Sequence, residues 1–202
     1  GRLVDHWTND LCQWWLHHTL RSGMTIDQAA ALLRTPRIEW ARPQIWCDLG
    51  CGEGVFTMAL ASLLAPGSTI HAVDADQRAL RKVPEEHGGV PIRTVLADVN
   101  SLSLRLPYCD GVLMANSLHF IQEQAQLLAR LTDVSQRFLI VEYERSRSSR
   151  WEPYPIDFQK LSALFHEVGA DAVYRINTRK SRFGGTMYSA LAEVDTDERN
   201  VR

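Results

Sequence analysis

The chain lacks any apolar run approaching membrane-spanning length, and no secretory signal is visible, so a cytoplasmic protein without membrane segments is expected. It contains no Gly-Lys-Ser or Gly-Lys-Thr, which argues against a P-loop. Its four cysteines, Cys12, Cys47, Cys51 and Cys109, form no Cys-x-x-Cys pair and have no histidines at zinc spacing. They read as small buried hydrophobes in a reducing compartment, and no metal site is expected. Neither sign of charge dominates: 22 Lys and Arg against 24 Asp and Glu leave a net charge of −2. The pI near 6.4 gives no overall drive toward nucleic acid or an anionic membrane. Internal repeats and low-complexity segments are also lacking. The chain begins at Gly1 without methionine, so its start is read as missing or as carrying a foreign remnant.

What is present is the make-up of one soluble globular domain: 202 residues, 45% hydrophobic and 23% charged, enough to bury a full core. Periodicity gives an α/β alternation. An amphipathic helix is expected over 5–21, with Leu11, Trp14, Trp15 and His18 on one face. A second helix begins after Thr25, whose capping box is completed by Gln28, and buries Ile26, Ala29, Ala30 and Leu33. Then come strand 44–48, helix 53–65, strand 69–74, helix 76–83, strands 91–97 and 110–115, helix 117–131 and strand 137–143. Helix 157–168, stopped by Gly169, and a hairpin of strands 171–177 and 186–194 close the chain. Pro66-Gly67, Gly88-Gly89 and Pro107 punctuate the connections.

The most informative stretch is Trp46-Cys-Asp-Leu-Gly-Cys-Gly-Glu-Gly54, an apolar run that ends in an acid and then in three glycines at alternate positions. It describes a buried strand turning sharply into a helix, with backbone free to take positive φ and to approach a ligand closely. Asp48 stands at the carboxyl end of the strand, where open α/β sheets bind ligands. Asp74 ends the next strand about 20 residues on, the spacing at which an acid reaches ribose hydroxyls, and Asp98 closes the third. The plain alternative is a tight connection with acids that merely cap turns. A dinucleotide-binding dehydrogenase is the nearest rival, but its Gly-x-Gly-x-x-Gly fingerprint would need glycine at Val55.

In order along the chain, Asp48-Leu-Gly-Cys-Gly-Glu-Gly54, His71-Ala-Val-Asp74, Leu96-Ala-Asp98-Val99 and Asp110-Gly-Val-Leu-Met-Ala-Asn116-Ser-Leu-His119-Phe120 resemble the signature segments of class I S-adenosylmethionine-dependent methyltransferases. The resemblance covers roughly Gln44 to Val194. It implies a Rossmann-like three-layer α/β sandwich over 44–194, with a seven-stranded, mostly parallel sheet and an antiparallel strand from the C-terminal hairpin. Residues 1–43 would form a helical cap and 195–202 a tail. The implied cofactor is S-adenosylmethionine, with Gly50 and Gly52 along its methionine part, Asp74 on both ribose hydroxyls, Asp98 on the adenine amino group and the Val99 backbone on the ring. Asp48, Cys51, Ala75 and Asn116 would line the same site. A ribose diol presents two donors that one carboxylate can accept together, and a sulfonium cofactor carries no phosphate that would need a lysine.

Methyl transfer needs an aligned nucleophile, and a base only if that nucleophile arrives protonated. His119, just past the fourth major strand, is the best candidate for a general base, with Tyr143 second; the plain alternative for His119 is a packed cavity residue. Glu142, His119, Trp151, Tyr154 and, from the N-terminal segment, Trp15 are the candidate substrate contacts. Arg145, Arg147 and Arg150, with Arg175, Arg179, Lys180 and Arg182, would favour an anionic acceptor if both groups faced one cleft. Base methylation of nucleic acid usually comes with Asn/Asp-Pro-Pro-aromatic after the fourth strand, whereas Asn116-Ser-Leu-His119 stands here, so nucleic acid is disfavoured. A small-molecule methyltransferase and a non-catalytic cofactor-binding partner or regulatory subunit both remain open, with an RNA methyltransferase behind them. Oligomeric state is not readable.

Overall fold

The computed structural model describes residues 24–181 and 185–194. The expected helix 5–21 with Trp14, Trp15 and His18, Arg182 and the 195–202 tail all lie outside the described residues.

The fold is an α/β sandwich around one eight-stranded sheet. Its strands are β1 (Ile45–Leu49), β2 (Thr69–Asp74), β3 (Glu86–His87), β4 (Val90–Leu96), β5 (Gly111–Ala115), β6 (Arg137–Tyr143), β7 (Ala170–Lys180) and β8 (Thr186–Val194), in the spatial order β3-β4-β2-β1-β5-β6-β8-β7. Strands β4, β2, β1, β5 and β6 are parallel, and β8 enters antiparallel beside β6. The strand count corrects the expected seven. Gly88-Gly89 does more than punctuate: both glycines take positive φ and fold back a two-residue antiparallel strand, β3, onto the edge strand β4.

Alternation along the strands divides the core into two layers. Trp46 of β1, Leu113 of β5 and Leu139 of β6 pack toward α1 (Ile26–Leu33) and α2 (Val55–Ala61). Cys47, Met114 and Phe138 pack toward α4 (Gln124–Leu131) and α5 (Phe158–Glu167). A short α3 (Gln77–Leu80) covers β2. The capping box of Thr25 and Gln28 opens α1 as the sequence indicates. The far end of α1 is docked by side chains: Asn177 Nδ2 donates to the carbonyls of Ala31 and Arg34, and Ser189 Oγ to that of Leu32 at 2.6 Å. These bonds satisfy carbonyls that a helix terminus leaves without partners.

Two helices are shorter than their periodicity suggests. Helix 53–65 starts only at Val55, because Gly54 is left-handed, and unwinds after Ala61 into tighter turns. Helix 117–131 is broken: a 3₁₀ turn, Leu118–Phe120, is followed by an extended Ile121 before α4 begins. The break is held by Gln124 Nε2, which donates to the carbonyls of Leu118 and Tyr154 at 3.2 and 2.8 Å. That turn places the residues after β5 against the end of β6.

Candidate active site

The strand order reverses between β1 and β5, and in open α/β sheets ligands bind at the carboxyl ends beside such a reversal. Here β1 gives way to the glycine turn. The amides of Gly50 and Cys51 donate to the Val73 carbonyl, and Gly50, Gly52 and Gly54 all have positive φ. A Cβ on Gly50 would stand 2.5 Å from the Ser117 Cβ, so the turn can lie this close to the post-β5 segment only with glycine. Ser117 reinforces that approach by donating from Oγ to the Leu49 carbonyl at 2.7 Å.

Asp48 lies under the turn with 1% of its surface exposed. Thr57 Oγ1 donates to its Oδ2 at 2.6 Å, while Oδ1 is buried without a partner. Burial pushes the carboxyl up to about 7, offset in part by the Thr57 bond and helped by the nearby Asp74. Burial likewise raises the Cys51 thiol, with Asp48 and Asp74 adding to the effect, so Cys51 is a neutral wall of the turn.

Asp74 ends β2 and ties the turn to the next strand. Its Oδ2 accepts from the Gly52 amide and its Oδ1 from the Asp76 amide, both at 2.8 Å. Burial raises this carboxyl too, against the lowering effect of those amides. A carboxylate offers about four acceptor sites, so each oxygen keeps capacity for a ligand donor. Ala75 beside it is exposed. Asp98 follows β4 in an exposed turn, with Oδ1 accepting from the Asn100 amide at 2.8 Å, and Val99 is buried against the α4 layer. Asn116, after β5, has φ 53 and a buried, unpartnered Oδ1. Asp48, Gly50, Gly52, Asp74 and Asn116 thus converge on one end of the sheet.

His119 and Glu142, 23 residues apart, form a buried pair with 3% and 1% exposure. Glu142 uses both oxygens on His119: Oε2 meets Nδ1 at 2.6 Å and Oε1 accepts from the His119 amide at 3.2 Å. Glu142 therefore stands behind the imidazole, where the sequence suggested a substrate contact. The loop after β6 closes over this pair. The Tyr154 amide donates to the His119 carbonyl at 3.1 Å, and its hydroxyl donates to Gln122 at 3.0 Å. Trp151 is partly buried with Arg150 over its ring, 5.3 Å from the centroid.

Two of the arginines expected to make the cleft basic are matched by acids. Arg145 pairs with Glu152 at 3.3 Å, and Arg175 pairs with Glu144 while lying over Phe158. Glu152 is buried, and its carboxyl is raised by that burial despite the charge of Arg145. Tyr143 is raised by burial first, against the bond from Ser181. Ser117 escapes a reading of the sequence because it matters through a partner 68 residues away, the Leu49 carbonyl. Among the described residues no cluster of three or more His, Cys, Asp or Glu could hold a metal ion, and no helix is long and apolar enough to cross a membrane.

Comparison with known proteins agrees with this geometry. Residues 47–137 match the family described as a methyltransferase domain. An uncharacterised methyltransferase of Mycobacterium tuberculosis is 32% identical over 84 residues, 42% of this chain; the matched stretch spans 41% of that relative's length. Among solved structures, the N-terminal domain of EvdMO1 with S-adenosylhomocysteine bound has a TM-score of 0.64 at 22% identity, over 89% of this chain and 84% of that one. A Thermotoga maritima protein described as an S-adenosylmethionine-dependent methyltransferase and possible histamine N-methyltransferase has a TM-score of 0.67 at 13% identity, over 94% and 99%. Sheet order, glycine turn and strand-end acids thus sit in a chain whose residues 47–137 are similar to a methyltransferase domain and whose fold is shared with these S-adenosylmethionine-dependent methyltransferases.

Proposed function

We propose that this chain moves a methyl group from S-adenosylmethionine to a small-molecule acceptor, with the cofactor over the ends of β1, β2 and β4 and the acceptor over the ends of β5 and β6. The observation that carries the reading is the pair of buried, unpartnered oxygens, Asp48 Oδ1, an acceptor once the carboxyl is ionised, and Asn116 Oδ1, beside a glycine turn too tight for a Cβ. Buried acceptors without donors are costly, and the ammonium and hydroxyl groups of an amino-acid nucleoside are donors of the missing kind.

When bound, the cofactor supplies a methyl group already activated on a positively charged sulfur. The chain then has to bind, orient and exclude water. Asp74 has spare acceptor capacity for a ribose diol, and Asp98 and the Val99 backbone would read adenine. Gly50, Cys51, Gly52 and Ala75 form the close wall. The acceptor side is lined by His119, Tyr143, Trp151 and Tyr154, and its loop closes tightly over the 3₁₀ turn, which favours a compact acceptor over a polymer. Arg145 and Arg175 are paired to acids, which weakens their pull on an anionic acceptor. His119 serves as general base for an acceptor that arrives protonated.

The test is thermal unfolding with S-adenosylhomocysteine, with NAD as control. At a hundredfold excess over Kd a ligand adds about 2.7 kcal/mol, expected to raise the midpoint by roughly 5–10 °C. The shift should vanish in Asp74→Ala, which loses the ribose acceptor and the anchor of Gly52. A shift with NAD instead of S-adenosylhomocysteine, or an undiminished shift in the variant, would overturn the assignment.

A further inference from the structure

We infer that Glu142 is the positioning residue of the acceptor site: it fixes His119 as the tautomer protonated on Nδ1, leaving Nε2 to take the proton of a protic acceptor, a hydroxyl or an N–H. The inference rests on the methyltransferase reading for its functional meaning, but its geometry stands by itself.

Every polar atom of His119 except Nε2 is committed. The amide donates to Glu142 Oε1, the carbonyl accepts from the Tyr154 amide, and Nδ1 faces Glu142 Oε2 at 2.6 Å. A carboxylate only accepts, so the imidazole must present a proton at Nδ1. In the neutral ring Nε2 is then the basic nitrogen. Among the described residues Nε2 has no hydrogen-bond partner, and it is not one of the sealed, unpartnered side-chain atoms, which are Asp48 Oδ1 and Asn116 Oδ1. The imidazole is further held by its contact with the Phe120 ring, 4.2 Å between centroids.

Such a device has a use only when the acceptor loses a proton. The proton passes from the acceptor atom to Nε2, the lone pair of that atom forms the new bond to the methyl carbon, and the carbon–sulfur pair stays on sulfur. A thioether or a tertiary amine would give His119 nothing to accept. The second acid near the ring, Glu152, is engaged by Arg145, and Tyr143 is engaged with Ser181, so neither replaces Glu142 behind Nδ1.

Glu142→Gln tests this without an acceptor in hand. The His119 amide still requires an acceptor, so the Gln carbonyl must turn to it and the Gln NH₂ then meets Nδ1. Nδ1 is forced to accept, and the ring proton moves to Nε2. Nitrogen-15 NMR of histidine-labelled protein at about pH 9, where an ordinary imidazole is neutral, reads the tautomer directly. His119→Gln identifies which of the seven histidines gives the signal. Wild type is expected to carry its proton on Nδ1 and Glu142→Gln on Nε2. A wild-type ring protonated on Nε2, or on both nitrogens, would overturn the proposal, and the wild-type spectrum decides this even if the variant fails to fold. An unchanged tautomer in a folded Glu142→Gln would also overturn it. Calorimetry with S-adenosylhomocysteine on the same samples separates the two readings. Binding by wild type and variant within about threefold of each other is expected, whereas no binding by wild type would defeat the function and leave the tautomer result intact.

Discussion

Asp48 is a carboxyl held almost out of water, with one oxygen on Thr57 and the other without a partner. Its pKa, pushed up to about 7 by burial, makes it a source of pH-dependent stability. In the unfolded chain an aspartate titrates at about 4, so between those values the folded state holds a proton that the unfolded state has lost. This contribution is fully present below about pH 4 and is lost as pH rises toward 7, by up to about 4 kcal/mol. Asp48→Asn, whose carbonyl can still accept from Thr57, removes the charging cost. It should match wild type in unfolding free energy near pH 4 and gain on it steadily up to neutrality, then hold a constant lead. Denaturant melts across that range check this, and a lead that does not vary with pH would mean that the carboxyl is not buried as described. A bound cation would lower the same pKa, which is one use for an acid that costs the empty fold stability.

At the scale of elements, the turn after β1 works because it meets the 3₁₀ turn after β5 with no room to spare. Gly50→Ala combines left-handed backbone at φ 75 with a Cβ 2.5 Å from that of Ser117. A cost of roughly 2–4 kcal/mol in unfolding free energy is expected, together with at least tenfold weaker S-adenosylhomocysteine binding, read by melts and calorimetry. An Ala variant of wild-type stability would refute the close approach. The glycine turn and its acids were legible in the sequence because their meaning is local: spacing alone places Gly50, Gly52 and Asp48, and strand length places Asp74. What was not legible depends on partners far along the chain. Glu142 has the sequence position of a strand-end contact, but its two oxygens are both taken by His119, 23 residues away, and Ser117 is 68 residues from the carbonyl it binds. The break in helix 117–131 hid for the same reason, since Gln124 reaches across to Tyr154. A strand as short as β3 leaves no periodicity to read.

Over the whole molecule, stability should be graded from the centre of the sheet to its rim. Strands β1, β5 and β6 are buried on both faces and flanked on both sides, whereas β4 meets only the two-residue β3 beyond it and alternates exposed residues. Hydrogen exchange should therefore be slowest at Trp46, Leu113 and Ile140, near the global unfolding limit, and faster by local opening at Arg93 and Val95. Equal protection across the sheet would show that the rim does not open separately. The place of β8 carries a consequence for synthesis. It follows β7 along the chain, yet it lies inside the sheet, between β6 and β7, so β6 gains its native neighbour on that side only after β7 has been made. A nascent chain that has emerged only as far as β7 leaves the apolar flank of β6, Phe138 to Val141, as an open template for another chain. Ribosome stalling or truncation just short of Thr186 should thus yield aggregates in place of a smaller folded domain.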